Sequence, residues 1–369
     1  MQRSAVWSPS AYYDALVFGN GPAACIFAIQ MTRRGKSVLL IPPPLTESSP
    51  KPWGETLAPR GEFLLAQLGL ANGCLAGQHA TQTMLACWQN VHPEATNLAF
   101  DPHGQMWHLN RLTFDKALLT HALASGADII DRKSCCIASI DRRSDRWEVR
   151  LKARGCKRIA DVGHLVDATG KSSYLARRMG SKRVCRDQLV AVFGILEEPS
   201  KSVLPLLIEP VCGGWWYSLG LPQGTLLVAF ITDPRLVRVT VETRRSVWDR
   251  MLDDAPYTRS RIGVRESSLS VVSVESSRLD RITGEGWLAI GDAATSFDPL
   301  SSHGLCSAIE QAVWAAEALC LGTGSSLTEF EVKCRNAFEK YATQRIVFYG
   351  KVRRLSKSAF WQKRTSIPS

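Results

Sequence analysis

Several things are missing from this 369-residue chain, and each absence removes a class of function. No Cys-x-x-Cys pair occurs among its eleven cysteines, so a zinc site is not expected. Those thiols are odd in number and scattered, with Cys135 and Cys136 adjacent, which fits reduced cysteines and a cytoplasmic setting. No stretch approaches the roughly twenty apolar residues of a membrane span, and residues 1–13 lack the apolar core of an export signal. Internal repeats and low-complexity tracts are absent. So is the interleaved aromatic and basic groove of a nucleic-acid module, so nucleic acid is not expected as a partner. What remains is a chain whose apolar fraction, 45%, can build a large core.

Three glycine-bearing segments stand out within it: Gly19-Asn20-Gly21-Pro22-Ala23-Ala24, Asp167-Ala168-Thr169-Gly170 and Gly291-Asp292-Ala293-Ala294. The first follows an apolar run at 14–18 that reads as a buried parallel strand. A helical pattern at 26–31 and a second strand at 37–41 complete a βαβ unit. In that context Gly19 permits a tight turn and Gly21 lets the backbone approach a pyrophosphate at the helix N-terminus. Ala24 takes the third, close-packing position. The acid expected after the second strand, to hold an adenosine ribose, is replaced by Pro42-Pro43-Pro44, with Glu47 the nearest substitute. The third segment ends a short strand at 286–290 in a carboxylate, Asp292, suited to ribitol hydroxyls. Pro299, Gly304 and an apolar helix at 305–319 follow. A glycine opening that helix can set N–H groups against a ring oxygen that gains negative charge on reduction.

With these segments in order, the sequence resembles the FAD-dependent monooxygenases that include the aromatic hydroxylases and the tryptophan halogenases. The likeness runs from about Asp14 to Leu319. It implies an α/β fold: a Rossmann-like FAD-binding domain interleaved with a β-sheet-rich substrate domain, as in the aromatic hydroxylases, followed by C-terminal helices. The resemblance further implies non-covalent FAD held by Gly19, Gly21, Ala23, Ala24, Asp167, Gly170, Asp292, Gly304 and Leu305, with Pro299 beside the reactive edge. Finer likeness comes from Trp53-Gly54-Glu55-Thr56-Leu57-Ala58-Pro59, from His103-Gly104-Gln105-Met106-Trp107-His108-Leu109-Asn110-Arg111, and from Gly214-Trp215-Trp216-Tyr217-Ser218. These resemble flavoproteins that mature the tryptophylquinone cofactor of certain amino-acid oxidases and amine dehydrogenases. That likeness implies hydroxylation of a peptidyl tryptophan in a partner precursor through a flavin peroxide adduct, and it places Arg111 near the flavin.

Halogenation is disfavoured. Flavin halogenases need a lysine between flavin and substrate, and no lysine occurs between Pro52 and Asp115. The corresponding neighbourhood, Ala80-Thr81-Gln82-Thr83-Met84, offers an amide and hydroxyls, and the Trp-x-Trp pattern of halogenases reads Trp215-Trp216-Tyr217 here. For proton handling the candidates are Glu55, His103, His108 and, at the helix mouth, His303, with Pro299 at the reacting edge. Trp215, Trp216 and His108 are the candidate substrate wall. Electrons are expected from NAD(P)H directly or through a flavin reductase, since no second glycine fingerprint marks a nicotinamide domain.

Strand-like runs at 188–196, 215–221 and 225–232, with a turn at Pro222-Gln223-Gly224, place a sheet over the cofactor. The expected division is an FAD-binding domain at 1–185 and 275–325, a substrate region at 186–274 and a helical basic tail at 326–369. Of a net charge of +11, six basic residues and no acid fall between Lys351 and Arg364. That tail reads as a solvated helix end, a docking surface for an acidic partner, or a membrane-surface helix using Phe360 and Trp361. Two other functions stay open: hydroxylation of a small or carrier-tethered aromatic, and a non-catalytic flavoprotein that assists assembly.

Overall fold

Two sheets pack around the three glycine segments, and both come from the alternation and length of apolar runs. The computed structural model describes residues 12–43, 54–130, 135–153, 156–197, 203–237, 241–263 and 269–365; Glu47 lies outside them. The first sheet has eight strands. Its parallel core runs in the order Trp287–Ala289, Cys156–Asp167, Tyr12–Phe18, Val38–Ile41, Asp128–Ile129. An antiparallel ribbon, Cys135–Arg142 and Trp147–Ala153, extends from the long central strand. Strands buried on both faces need continuous apolar sequence, and Ala15 to Phe18 and Val38 to Ile41 supply it.

Helix Pro22–Thr32 is apolar nearly all round, because it is enclosed. It packs between helices His303–Leu321 and Arg111–Ala124 in the principal core cluster. Parallel strands must have their orphan ends on one side, and all three glycine segments leave the sheet at the carboxyl ends of neighbouring strands. That is where open α/β sheets place ligands.

The second sheet has seven strands, in the order Ser270–Ser273, Val190–Glu197, Thr225–Thr232, Gly214–Leu221, Leu206–Val211, Thr83–Ala86, Glu94–Asn97. It draws its last two strands from far upstream of the 186–274 stretch. Its register sets Phe193, Ala229 and Tyr217 in one row across three strands. A small third sheet, Gly54–Leu57, Met106–Asn110 and His79–Thr81, carries Glu55 and delivers the chain to Arg111.

The basic C-terminal segment is part of the core. After helix Gly324–Gly350 the chain turns back, and helix Ala359–Thr365 lies on the second sheet. Trp361 is fully buried and its indole donates to Val211 O at 2.9 Å. Phe360 is also buried, under the Arg364 guanidinium at 3.9 Å from the ring centroid. Of the six basic residues Arg364 is buried and the other five are exposed, and three of the six have partners on the body of the protein. Arg364 pairs with Asp187 at 2.9 Å, Lys363 with Asp233 at 3.0 Å, and Arg354 donates to Cys87 O at 2.7 Å. The membrane-helix reading of this segment is therefore corrected, since the two aromatics it needs are enclosed. The five exposed basic side chains agree with the reading of a solvated helix end, while Arg364 departs from it. Among the described residues no helix is long and apolar enough to cross a membrane, and no group of three or more metal-ligating side chains gathers.

Candidate functional site

The three glycine segments touch. Gly19 has φ +131°, and a β-carbon there would lie 2.3 Å from Ala168 O, so the first and second segments approach as only glycine allows. Gly291, with φ +60°, brings the third segment against Ala23, whose Cβ would be 2.9 Å from a side chain added there. Arg183 locks the same junction. It donates to Ser173 Oγ at 2.5 Å and to Asp292 O at 2.7 Å, joining the ends of two segments through one half-buried side chain.

Around this contact lies a cavity of about 480 Å³. Gly19, Gly21, Pro22 and Ala23 line it, with Ala168, Thr169, Gly170, Asp292, Gly304 and Leu305. The helix it meets begins at Gly21 with no side-chain cap, so its first N–H groups are available to an anion. No protein atom lies within 4 Å of the position a Gly21 β-carbon would take. The second helix, His303–Leu321, also starts without a side-chain cap and offers Gly304 and Leu305 to the same cavity. An uncapped helix start at each end, an acid in the middle and a glycine cradle fit a dinucleotide carrying a redox ring. Pro43, which stands in the stretch where a ribose-binding acid is expected, also lines the cavity.

A second cavity, of about 330 Å³, adjoins the first. Glu55, Arg111, Asp292 and Gly304 line both. Glu55 and Arg111 form a close ion pair, and Arg111 also holds Asp115 through two bonds of 3.0 Å. Burial works against the Arg111 charge, but Glu55 and Asp115 outweigh it and its pKa rises. Burial drives the Glu55 pKa up as well; Arg111 opposes this, Asp292 and Asp115 add to it, and the net direction is upward. A carboxyl poised towards protonation thus sits where the two cavities meet.

The second cavity has an apolar side supplied by the sheet: Ala191, Phe193, Leu227, Ala229, Ile231 and Val272. Tyr217 joins them, its hydroxyl 3.1 Å from Thr56 Oγ1, which in turn lies 3.2 Å from Ser302 Oγ. Burial pushes the Tyr217 phenol up, so it stays neutral. The polar side includes Lys171, Asp298 and Pro299. Lys171 Nζ donates to Ser273 O at 2.8 Å, and burial lowers its pKa while Asp292 and Glu275 oppose that.

Several expected residues lie elsewhere. Trp215 and Trp216 are fully buried and line neither cavity. They point to opposite faces of their strand. Trp215 donates to Tyr349 Oη at 3.2 Å beneath the C-terminal helices, and Trp216 donates to Met251 O at 3.2 Å within a separate apolar cluster. Tyr217 takes the wall position instead. His108 is enclosed too: its Nδ1 donates to Gly220 O at 2.8 Å, and burial lowers its pKa to about 4. His303 is exposed and lines a neighbouring groove of about 300 Å³ with Tyr341 and Phe348, not the apolar cavity. Its ring Nδ1 lies 2.6 Å from Ser301 O. His103 is near the surface against Phe63 and Asp101.

Asp167 is wholly buried, with its oxygens used by Thr169 and Ala176, so it shapes the middle turn while its neighbours line the cavity. Ala24 is likewise buried behind the cradle, in the close-packing place its size suits. Gly19, Gly21, Ala23, Gly170, Arg111, Asp292, Gly304, Leu305, Glu55 and Pro299 do gather around the paired cavities. Lys171 and Asp298, which carried no expected role, also line the apolar cavity; each directly adjoins a motif residue, Gly170 and Pro299, and that adjacency is the signal the sequence holds for them.

Known proteins resemble this chain in sequence and in fold. A putative FAD-dependent oxidoreductase, LodB, of Marinomonas mediterranea is 26% identical over 95% of this chain and 96% of its own. Among solved structures, the myxobacterial chondrochloren halogenase CndH superposes with a TM-score of 0.85 at 22% identity, over 97% of this chain and 87% of its own. The peptidyl tryptophan dihydroxylase QhpG, essential for tryptophylquinone cofactor biogenesis, gives 0.77 at 19% identity, over 97% and 80%. These likenesses fix the fold as that of the flavin-dependent halogenases and hydroxylases. Residues 12–326 match the FAD binding domain family, and with that span covering both cavities the chain belongs to this family of FAD-dependent oxidoreductases.

Proposed function

We propose that this protein is an FAD-dependent monooxygenase that hydroxylates an aromatic ring, a tryptophan side chain of a partner precursor during maturation of a quinone cofactor. The observation that carries the reading is the shared wall: Glu55, Arg111, Asp292 and Gly304 border both the dinucleotide cradle and an apolar cavity of aromatic size. Bound FAD supplies electron transfer and oxygen activation. Everything else falls to the chain. The uncapped helix starts at Gly21 and Ser302 offer N–H groups to the pyrophosphate and to the ring oxygen. Arg111 fixes Glu55 at the boundary, and Glu55 exchanges a proton there when charge changes. Phe193, Leu227, Ala229 and Ile231 exclude water and seat a flat ring. The likeness to LodB along nearly the whole chain supports an FAD-dependent oxidoreductase, and the likeness in fold to the peptidyl tryptophan dihydroxylase supports a peptidyl substrate. Electrons come from NAD(P)H directly or through a reductase.

One observation favours a second reading. Lys171 lines the apolar cavity although no lysine occurs between Pro52 and Asp115. An amine in that place suits halogenation, in which it would relay hypohalous acid. One experiment separates the two. The FAD-loaded protein is incubated with a tryptophan-bearing oxidase precursor, NADH, a flavin reductase and bromide, and the precursor is analysed by mass spectrometry. Added oxygen on one tryptophan, lost on Gly21→Ala, supports hydroxylation. A bromine isotope pattern establishes the second reading. An unmodified precursor, with the flavin reduced and reoxidised, refutes both and directs attention to a small or carrier-tethered aromatic, or to an assembly role.

A further inference from the structure

One loop serves two openings. In the stretch 297–304, Pro299 and Ser302 line the apolar cavity, while Leu300 and Ser301 line a separate outer groove of about 300 Å³. The other wall of the groove is one face of helix Gly324–Gly350, given by Tyr341, Gln344, Arg345 and Phe348 at helical spacing. Phe348 stays 39% exposed, and Val347 beside it is exposed as well. Cations gather where this helix ends. Lys351 Nζ stands 5.2 Å from the centre of the Phe348 ring. Arg353, Arg354 and Lys357 follow, and all four are exposed. Arg354 donates to the carbonyls of Cys87 and Trp88, and Trp88 packs on Phe348 with ring centres 5.1 Å apart, so that guanidinium is held at the same end of the groove. Lys363 and Arg364 pair with Asp233 and Asp187. Among the described residues no carboxylate pairs with Lys351, Arg353, Arg354 or Lys357, and the chain carries no acid after Glu339. The negative end of a helix favours a cation in its last turn, which accounts for Lys351 and leaves three charges unmatched.

We propose that the groove and these four cations dock an acidic segment of the protein substrate. An apolar side chain of that segment enters against Leu300 and Phe348, and its carboxylates face Lys351, Arg353, Arg354 and Lys357. The inference rests on the reading of a peptidyl substrate, and it names the surface that such a substrate uses. An apolar anchor seated in a pocket, with charges around it, is how protein interfaces combine affinity with register. Clustered cations without acids of their own select a partner rich in carboxylates, and they speed its encounter. The shared loop explains the placement, because a chain held in the groove lies against the residues that also border the cavity. Oxygen transfer itself stays in the cavity. Docking therefore lowers KM for a protein substrate and leaves kcat unchanged.

The probe is a fluorescein-labelled dodecapeptide of glutamate and aspartate with one central leucine, beside a copy with serine in place of the leucine. Affinities are read by anisotropy at low salt on the FAD-loaded wild type and on two triple variants. The first combines Lys351→Glu, Arg353→Glu and Lys357→Glu. The second combines Arg177→Glu, Lys182→Glu and Lys333→Glu, three exposed cations elsewhere, and so matches the first in net charge. The leucine peptide should bind the first triple about tenfold or more weakly than wild type, and the second within about threefold. Phe348→Ala should abolish the preference for leucine over serine. In the precursor reaction the first triple should raise KM about tenfold and hold kcat within about twofold. Equal losses in both triples, or no preference for leucine in the wild type, overturn the assignment. So does tighter binding of an oligothymidylate or of phosphatidylserine vesicles than of the peptide, which would give the surface to a nucleic acid or a membrane. An unchanged KM in the first triple overturns it too and leaves peptidyl hydroxylation standing. A precursor that the wild type leaves unmodified refutes the peptidyl reading and this inference together.

Discussion

Alanine at Gly19 and at Gly21 should have opposite consequences although the two glycines are two residues apart. At Gly19, φ +131° strains any side chain, and the new β-carbon meets the backbone oxygen of Ala168 at 2.3 Å. Left-handed strain costs about 1–2 kcal/mol and overpacking against an unyielding neighbour about 1–3 kcal/mol, together about 2–5 kcal/mol. Unfolding entropy of roughly 2.1 cal/mol/K per residue converts that into a loss of about 3–6 °C in the melting point of a chain this long. At Gly21, φ is −79° and no protein atom lies within 4 Å of the added carbon. The protein free of FAD should therefore melt within about 0.5 kcal/mol of wild type. The methyl instead intrudes on the space a pyrophosphate needs, and each charge-assisted hydrogen bond it breaks is worth about 1.5–3 kcal/mol, or about 10–100-fold in affinity. The assay is thermal melting of both apo-variants beside titration with FAD followed by flavin fluorescence. Wild-type FAD affinity in Gly21→Ala refutes the cradle. An unshifted melting point in Gly19→Ala refutes the close approach of the first two segments.

Three further outcomes are expected. His303→Ala should leave substrate turnover within about twofold of wild type, because the imidazole lies in the outer groove; a loss of tenfold or more would restore it to the chemistry. Replacing His108 with Gln should flatten the pH dependence of stability. His108 resists protonation down to about 4 against an ordinary 6.5, so as pH falls through that window the unfolded chain gains a proton that the folded chain refuses. At pH 5 that difference amounts to about 2 kcal/mol, and denaturant titrations of wild type and variant at pH 7 and pH 5 should diverge by about that much. Trp361→Ala, which empties a fully buried site, should cost about 3–5 kcal/mol, read by denaturant midpoint; a change under 1 kcal/mol would return the C-terminal segment to solvent.

Much of this fold is legible in the residues because its signals are local. Strand Thr225–Thr232 coincides with the run of apolar and β-branched residues that announces it, and helix Pro22–Thr32 begins where the glycines and Pro22 direct. The meeting of the three glycine segments is legible too, since carboxyl ends of neighbouring parallel strands converge. The walls of the second cavity are another matter. Alternation along Gly214–Leu221 says that Trp215 and Trp216 face opposite ways, but nothing local says which faces are covered. Trp215 shares its face with Tyr217, yet Tyr349, 134 residues away, caps the tryptophan and not the tyrosine. Asp167 misleads for a related reason. An acid beside a glycine turn resembles a ligand-binding group until Ala176, nine residues on, is seen to claim its second oxygen.

The charge of the C-terminal segment carries the same lesson further, because counting basic residues ignores where their partners lie. Asp187 and Asp233 are far off in sequence, and they draw Arg364 and Lys363 back onto the second sheet. Asp187 also holds Arg345, which pairs in turn with Asp298, the residue before Pro299. A continuous run of charges therefore leads from the last helix to the loop at the mouth of helix His303–Leu321. Asp187 and Asp298 in it are almost wholly buried, so removing a partner of either leaves a charge that costs about 3–5 kcal/mol. Such a run is poorly suited to attracting a distant partner and well suited to fixing a loop. Arg364, the one buried residue of the six basic ones, is thus an internal support for the wall of the apolar cavity. Lys351, Arg353, Arg354, Lys357 and Lys363 stay exposed, so their charge still faces outward beside the groove of Leu300, His303 and Phe348.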